Sequence, residues 1–220
     1  MIELFEWPPT RSQRAKWVLE ELGVDYVSHK VGMPNGEQNT EAYRAIHPLG
    51  VVPAIKADGY TIFESVAIVL QLIDEHPDKH LAPAPGSPER ALYYQWCVFA
   101  GTEVDPTVMM YFDNTMRPLE HMRPPGTPHD AGLAARGRAD FALRAEILSK
   151  VLDGREHILD GGFSGADILV GHSCFMAAFT GLIGDYPVLE AYYRGLQQRP
   201  AHQRAYAGFA DVIGASENRL

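Results

Sequence analysis

Three short clusters in this sequence carry side chains able to do chemistry. Thr10, Arg11 and Ser12 place two hydroxyls and a guanidinium on three consecutive residues. They sit just ahead of apolar residues at Ala15, Val18, Leu19 and Leu22, whose spacing is that of a helix with one buried stripe. Hydroxyls at a helix start either cap the first amides or face a ligand, because the same unpaired N–H groups serve both uses. Val52-Pro53 opens an apolar run, and a proline there has no N–H to give to a neighbouring strand, so that backbone stays at an edge. Glu64 and Ser65 stand where another apolar helix begins, which offers a hydroxyl and free amides to an anion and a carboxylate to a cation.

Other polar groups invite less. His76 and His80 are four apart, but Pro77 between them argues against the helix that would put both on one face, so no metal site is assigned. Cys97 and Cys174 lack C-x-x-C spacing and lie in apolar segments; buried, reduced thiols are expected, in keeping with a cytoplasmic location. The chain of 220 residues has 46% hydrophobic and 21% charged residues, a composition that supports a packed core. Its formal charge of −9, with no basic run, disfavours nucleic acid and acidic membrane surfaces as partners. The first residues lack the order of a signal peptide, and no apolar run approaches the roughly 20 residues of a membrane span.

The elements that must hold these clusters can be read in order. Ile2 to Glu6 alternates as a strand, the stripe through Leu22 ends at Gly23, and Tyr26 to Val31 is a second strand. A short helix is expected from Thr40 to Ile46. Strands at 51–56 and 60–63 flank Asp58-Gly59, a hairpin turn in which both central residues are expected at positive φ. A helix from Ser65 to Glu75 completes a β-α-β-α-β-β-α unit. A proline-rich linker follows over 77–87, separating a domain at 1–76 from an all-helical domain at 88–220. In the second domain Ser87-Pro88-Glu89 starts a helix that runs to about Asn114 and bends near Gly101. Beyond a loop with Pro118, Pro124, Pro125 and Pro128, Asp130 to Leu152 is helical. Ser164 and Asp167 form a capping box stapled by Phe163 and Ile168, and helices at Pro187 to Gln198 and Ala201 to Ala207 close the bundle.

This order resembles the cytosolic glutathione transferase superfamily over nearly the whole chain. The resemblance rests on Pro53 opening the third strand, Glu64-Ser65 opening the next helix, the linker, the Ser164-x-x-Asp167 box, and the Tyr186-Pro187 and Arg199-Pro200 helix starts. It is most similar to bacterial members with an S-R-S-Q-R-like first helix, here Thr10-Arg11-Ser12-Gln13-Arg14. The implied fold is a thioredoxin-like α/β domain followed by an all-α domain. The implied activity is that of a transferase which activates the thiol of glutathione, its co-substrate, for attack on a hydrophobic electrophile. Two alternatives stand beside it: glutathione-dependent reduction of a disulfide or peroxide without an enzyme cysteine, and a non-catalytic interaction module.

The same resemblance implies roles. A cis Val52-Pro53 bond would leave the Val52 backbone to pair with glutathione as an added strand. Glu64 would meet the γ-glutamyl ammonium and Ser65 its carboxylate. Relatives place a lysine before the Val-Pro pair; Val51 stands there, so Gln38 or Asn39 would contact the glycyl end. A free thiol titrates near about 8.5, and lowering that by about two units takes roughly 2.7 kcal/mol. Thr10 is the lead donor to the sulfur, Ser12 the reserve, and Arg11 adds positive potential or touches the sulfur. The second substrate would lie between Trp7 and Pro8 on one side and Glu103, Thr107 and Tyr111 on the other, with Glu103 and Asp105 as an acidic rim opposing anions. A two-fold homodimer is implied as well.

Overall fold

The computed structural model describes residues 1–116 and 128–207. The expected loop residues Pro118, Pro124 and Pro125 lie outside the described residues, as does the end of the second domain beyond Ala207. The first domain builds β1 (Ile2–Glu6), α1 (Ser12–Leu22), β2 (Tyr26–Lys30), α2 (Glu41–Arg44), β3 (Ala54–Ala57), β4 (Tyr60–Phe63) and α3 (Ser65–Glu75). Its sheet runs β2-β1-β3-β4, with β1 parallel to β2 and the other pairs antiparallel. This is the thioredoxin-like order expected from the sequence. Helices α4 (Pro88–Phe99), α5 (Asp105–Thr115), α6 (Ala131–Leu152), α7 (Gly165–Phe179), α8 (Pro187–Leu196) and α9 (Pro200–Ala205) make the second domain.

The apolar stripe of α1 does what its spacing requires: Ala15, Val18, Leu19 and Leu22 are fully buried. The opposite side of the helix is also covered. Trp17 packs edge-on against His202 at 4.7 Å and Tyr206 at 5.9 Å, and the Gln13 amide donates to Ala205 O at 2.7 Å. Helix α1 is therefore the shared wall of the two domains, with the sheet and α3 on one side and α7 and α9 on the other.

Between α4 and α5 the backbone makes a π-helical turn, Ala100–Val104, which carries the glycine at which a bend was expected. A π turn adds a residue and resets which side chains face which neighbour. Past it, α5 lies close along α6. Gly137 makes this possible, because a Cβ there would sit 2.7 Å from Tyr111 N and 3.0 Å from Thr107 O.

The capping box forms. Ala166 N–H donates to Ser164 Oγ at 3.2 Å, and Ser164 N–H donates to Asp167 Oδ2 at 2.9 Å. Asp167 also accepts from Ile158 N–H and the Tyr192 hydroxyl, which fastens the preceding loop and α8 to the start of α7. The Phe163 ring packs on Trp17 at 6.0 Å and under the Arg199 guanidinium at 3.5 Å.

The β3–β4 turn differs from expectation. Gly59 has φ 95° but Asp58 does not enter the positive region, so the turn is not the mirror-image type that Asp-Gly favours. The Asp58 carboxylate instead accepts from the Met1 ammonium at 2.8 Å, a contact between residues too distant in sequence for local turn rules to contain. Both cysteines are buried, and burial pushes each thiol up to about 12. Among the described residues no helix is long and apolar enough to cross a membrane.

Candidate functional site

The sheet register brings the clusters to one end of the first domain. Ala54 pairs with both Phe5 and Phe63. These pairs put the end of β1, the segment Val52-Pro53 that leads into β3, and the Glu64-Ser65 step that follows β4 at the same edge of the sheet. The Val52-Pro53 bond is cis, as is Pro8-Pro9. The Val51 carbonyl is held by the Tyr43 hydroxyl at 2.7 Å, and burial pushes that phenol up to about 12, so it remains a donor. Helix α2 thus braces the turn that presents Val52.

Glu64 adopts φ 73° and ψ 110°, outside the region where non-glycine residues rest. Such a conformation costs on the order of 1–3 kcal/mol and persists where the surroundings impose it. Its carboxylate is exposed and has no hydrogen-bond partner among the described residues. Burial lowers the pKa of the nearby His47, with Glu64 opposing the shift, so that ring stays neutral against Phe63. Ser65 does not cap its helix as sequence rules allow; Glu64 occupies the cap position without a side-chain bond, and Ser65 is the first helical residue. The Ser65 hydroxyl accepts from Arg14 at 3.4 Å, which leaves its proton and its backbone N–H available. At the β2–β3 connection Gln38 Oε1 is buried without a partner, whereas Asn39 Oδ1 is taken by Arg44 at 2.9 Å.

The hydroxyl cluster forms a directed chain. Trp7 N–H donates to Ser12 Oγ at 3.2 Å; Ser12 Oγ and Thr10 Oγ1 are 2.8 Å apart; and Ser12 N–H donates to Thr10 Oγ1 at 3.2 Å. The Thr10 hydroxyl donates to Trp7 O at 2.5 Å, an acceptor that Ser12 also reaches at 3.2 Å. Ser12 is fully buried and Thr10 is part-exposed, so only Thr10 can face a ligand. Neither is the cap residue of α1, which is Arg11 in helical conformation.

Behind this chain lies a buried ionic hub that no local sequence pattern places. Arg14, fully buried, binds Asp105 through both terminal nitrogens at 2.7 and 2.9 Å, and also reaches Leu169 O and Ser173 Oγ. Ser173 in turn donates to Asp105 Oδ1 at 2.7 Å, and Arg11 Nε donates to Asp105 Oδ2 at 2.9 Å. Burial alone would raise the Asp105 pKa, but Arg14 and Arg11 outweigh it and bring the carboxyl down to about 2. Asp105 is therefore no part of an acidic rim: it is buried and neutralised by two cations. The other expected wall residues face elsewhere too. Glu103 accepts from Arg144 of α6 at 2.8 Å, the Tyr111 hydroxyl accepts from Arg138 of α6 at 3.1 Å, and Thr107 is buried and donates to Val104 O. Their spacing makes a true stripe, but the stripe meets α6, while Asp105 turns toward α1. Trp7 and Pro8 remain half-buried at the end of β1.

Comparison with known proteins agrees with this architecture. The family model described as "Glutathione S-transferase, N-terminal domain" matches residues 10–75. A maleylacetoacetate isomerase from Dictyostelium discoideum is 28% identical over 46% of this chain and 46% of its own length. The chain thus spans less than half of that first relative. Glutathione S-transferase F10 from Arabidopsis thaliana is 26% identical over 90% of this chain and 93% of its own. Among solved structures, a sphingomonad glutathione S-transferase complexed with glutathione is 29% identical, with a TM-score of 0.78 over 98% of both chains. Residues 10–75 thus match the glutathione S-transferase N-terminal family, and the thioredoxin-like sheet, the cis-proline turn and these relatives make the whole chain similar to the glutathione S-transferase superfamily.

Proposed function

We propose that this protein is a glutathione transferase in which Thr10 polarises the thiol of bound glutathione. The observation that carries this reading is the hydroxyl chain ending at part-exposed Thr10, at the end of the sheet that also bears Val52 and Ser65. Glutathione supplies the sulfur nucleophile; the protein binds it, orients it and stabilises its anion.

Val52 offers an unpaired backbone edge to the cysteinyl residue. The free Glu64 carboxylate accepts from the γ-glutamyl ammonium, and its imposed backbone angle aims it there. Ser65 gives its hydroxyl and helix N-terminal amide to the γ-glutamyl carboxylate. Gln38 supports the glycyl end, where Arg44, folded over the same turn, provides the charge that Val51 lacks. With Ser12 donating to Thr10 and both lone pairs of Thr10 engaged, the Thr10 proton, which Trp7 O accepts in this structure, turns to the sulfur when glutathione binds. Linked hydroxyls polarise one another and strengthen the last donor. The positive end of α1 adds to the effect.

Trp7 and Pro8 form one wall for the electrophile and the α4–α5 helix the other, with Glu103, Thr107 and Tyr111 setting that helix against α6. Reduction of small disulfides by this site would draw every sulfur from glutathione, since Cys97 and Cys174 are buried and their thiols titrate too high to act. Conjugation and disulfide-exchange assays on wild type and on Thr10→Ala, Arg11→Ala and Ser12→Ala separate the two chemistries. Full activity in all three variants contradicts the site. A calorimetric titration with no binding at millimolar glutathione would instead favour an interaction module.

A further inference from the structure

Arg11 keeps part of its guanidinium unspent at the junction of the two domains. Its bond to Asp105 uses Nε, and among the described residues that is its only hydrogen bond. Its side chain is 44% exposed, against 5% for Asp105. Asp105 is already matched by Arg14, which binds both of its oxygens. Two guanidinium groups therefore share one carboxylate, and the cluster carries one excess positive charge.

Among the described residues no neighbouring acid cancels that charge. Glu6 is committed to Lys16 and Ser28, and Glu103 to Arg144. His172, packed beneath the cluster, is held neutral by burial and by Arg14. The free Glu64 carboxylate lies toward His47, at the glutathione end. A cation partly removed from water, in the same β1–α1 loop as half-buried Trp7 and Pro8, attracts an anion attached to an apolar body.

We propose that the second substrate carries a carboxylate, which the terminal nitrogens of Arg11 receive while Trp7 and Pro8 cover its apolar part. This rests on the transferase reading above and names the substrate class of that site. Asp105 acts as the positioning residue: by holding Nε it presents the forked edge of the guanidinium outward, the geometry that suits a carboxylate.

Two electrophiles that differ by one ring carboxylate, chlorodinitrobenzene and chlorodinitrobenzoate, test this on wild type, Arg11→Gln and Arg11→Lys. With each compound the sulfur–carbon bond forms as chloride leaves with the bonding electrons. The expected result is that Arg11→Gln lowers the benzoate-to-neutral ratio of kcat/KM about tenfold, through KM, while Arg11→Lys keeps most of it. Equal losses on both compounds overturn the proposal and assign Arg11 to the sulfur. Calorimetric titration with unreactive dinitrobenzoate and dinitrobenzene reads the same preference without turnover. Tighter dinitrobenzoate binding that Arg11→Gln abolishes supports the proposal, and indifference to the carboxylate overturns it. Should wild type turn over neither electrophile, the transferase reading falls, and the titration judges the anion site alone.

Discussion

Thr10 and Ser12 are two residues apart and chemically alike, yet their environments divide the work between them. Ser12 is sealed among Trp7, Gln13 and Thr10, so it can only pass on polarisation; Thr10 can spend its proton outward. Thr10→Ser, which keeps the hydroxyl, is expected to retain kcat/KM within a few-fold. Thr10→Ala is expected to lose roughly 10- to 100-fold, the kinetic equivalent of about 1.4–2.7 kcal/mol of anion stabilisation. Steady-state conjugation kinetics check both. The buried Arg14–Asp105 pair makes a different prediction. Arg14→Met leaves Asp105 with part-exposed Arg11 as its one counter-charge among the described residues, beside the Ser173 hydroxyl, and should cost about 3–5 kcal/mol in urea unfolding, whereas Arg14→Met combined with Asp105→Leu should recover much of it. The candidate ligand contacts could be named because Val52-Pro53 and Glu64-Ser65 are local pairs at element starts that carry the resemblance to a known family. Arg14 and Asp105 could not be joined: 91 residues separate them, and nothing in either neighbourhood says that they meet.

At the scale of elements, α9 is held by a buried aromatic and histidine cluster. His202 stacks on Tyr206 at 4.2 Å, and His172 Nδ1 bonds the Tyr206 hydroxyl at 2.8 Å. Burial lowers His202 from its ordinary 6.5 to about 4, and burial together with Arg14 lowers His172 well below 6.5. Both rings must be neutral in the folded protein, so the unfolded chain binds more protons below pH 6.5. Stability is then complete above that pH and falls as pH drops toward 4, by about 1.4 kcal/mol per pH unit for each histidine. His202→Phe should flatten that slope, as measured by urea titrations across the interval. Asp105 adds a later loss, as pH falls from its ordinary 3.8 toward 2. Ser164→Ala at the capping box should cost about 1–2 kcal/mol, read as a lower urea midpoint with unchanged m-value. Most element types and many ends were legible, because caps and stripes are local: β1 and α3 have the bounds expected, and α6 starts one residue after Asp130, which caps it. The faces of α5 were not legible. A π turn changes helix phase without a sequence rule to announce it, and a stripe such as Glu103, Thr107 and Tyr111 does not say which neighbour it will meet.

For the whole molecule, exposed Leu49, Val51 and Phe63 on the first domain and Leu92, Tyr94 and Val98 on α4 are apolar surface that association would bury. We expect a two-fold homodimer, which light scattering would record as a particle of two chains; a monomer would contradict it. The fold as a whole could be read because its layers follow from strand and helix order alone. The interdomain wall could not, since Gln13 and Arg14 are polar residues that become core only when α7 and α9 close over α1. That closure completes the proposed site: the first domain carries the candidate glutathione contacts, and Asp105 and Ser173 of the second hold Arg14 of α1 behind the hydroxyl chain. The most direct test is an ultraviolet titration of the thiolate of glutathione bound to wild type and to Thr10→Ala. The account predicts a thiol pKa lowered by about two units from about 8.5 in wild type and restored most of the way in the variant. A bound thiol that titrates at its free value in wild type, or is unmoved by the loss of Thr10, would contradict it.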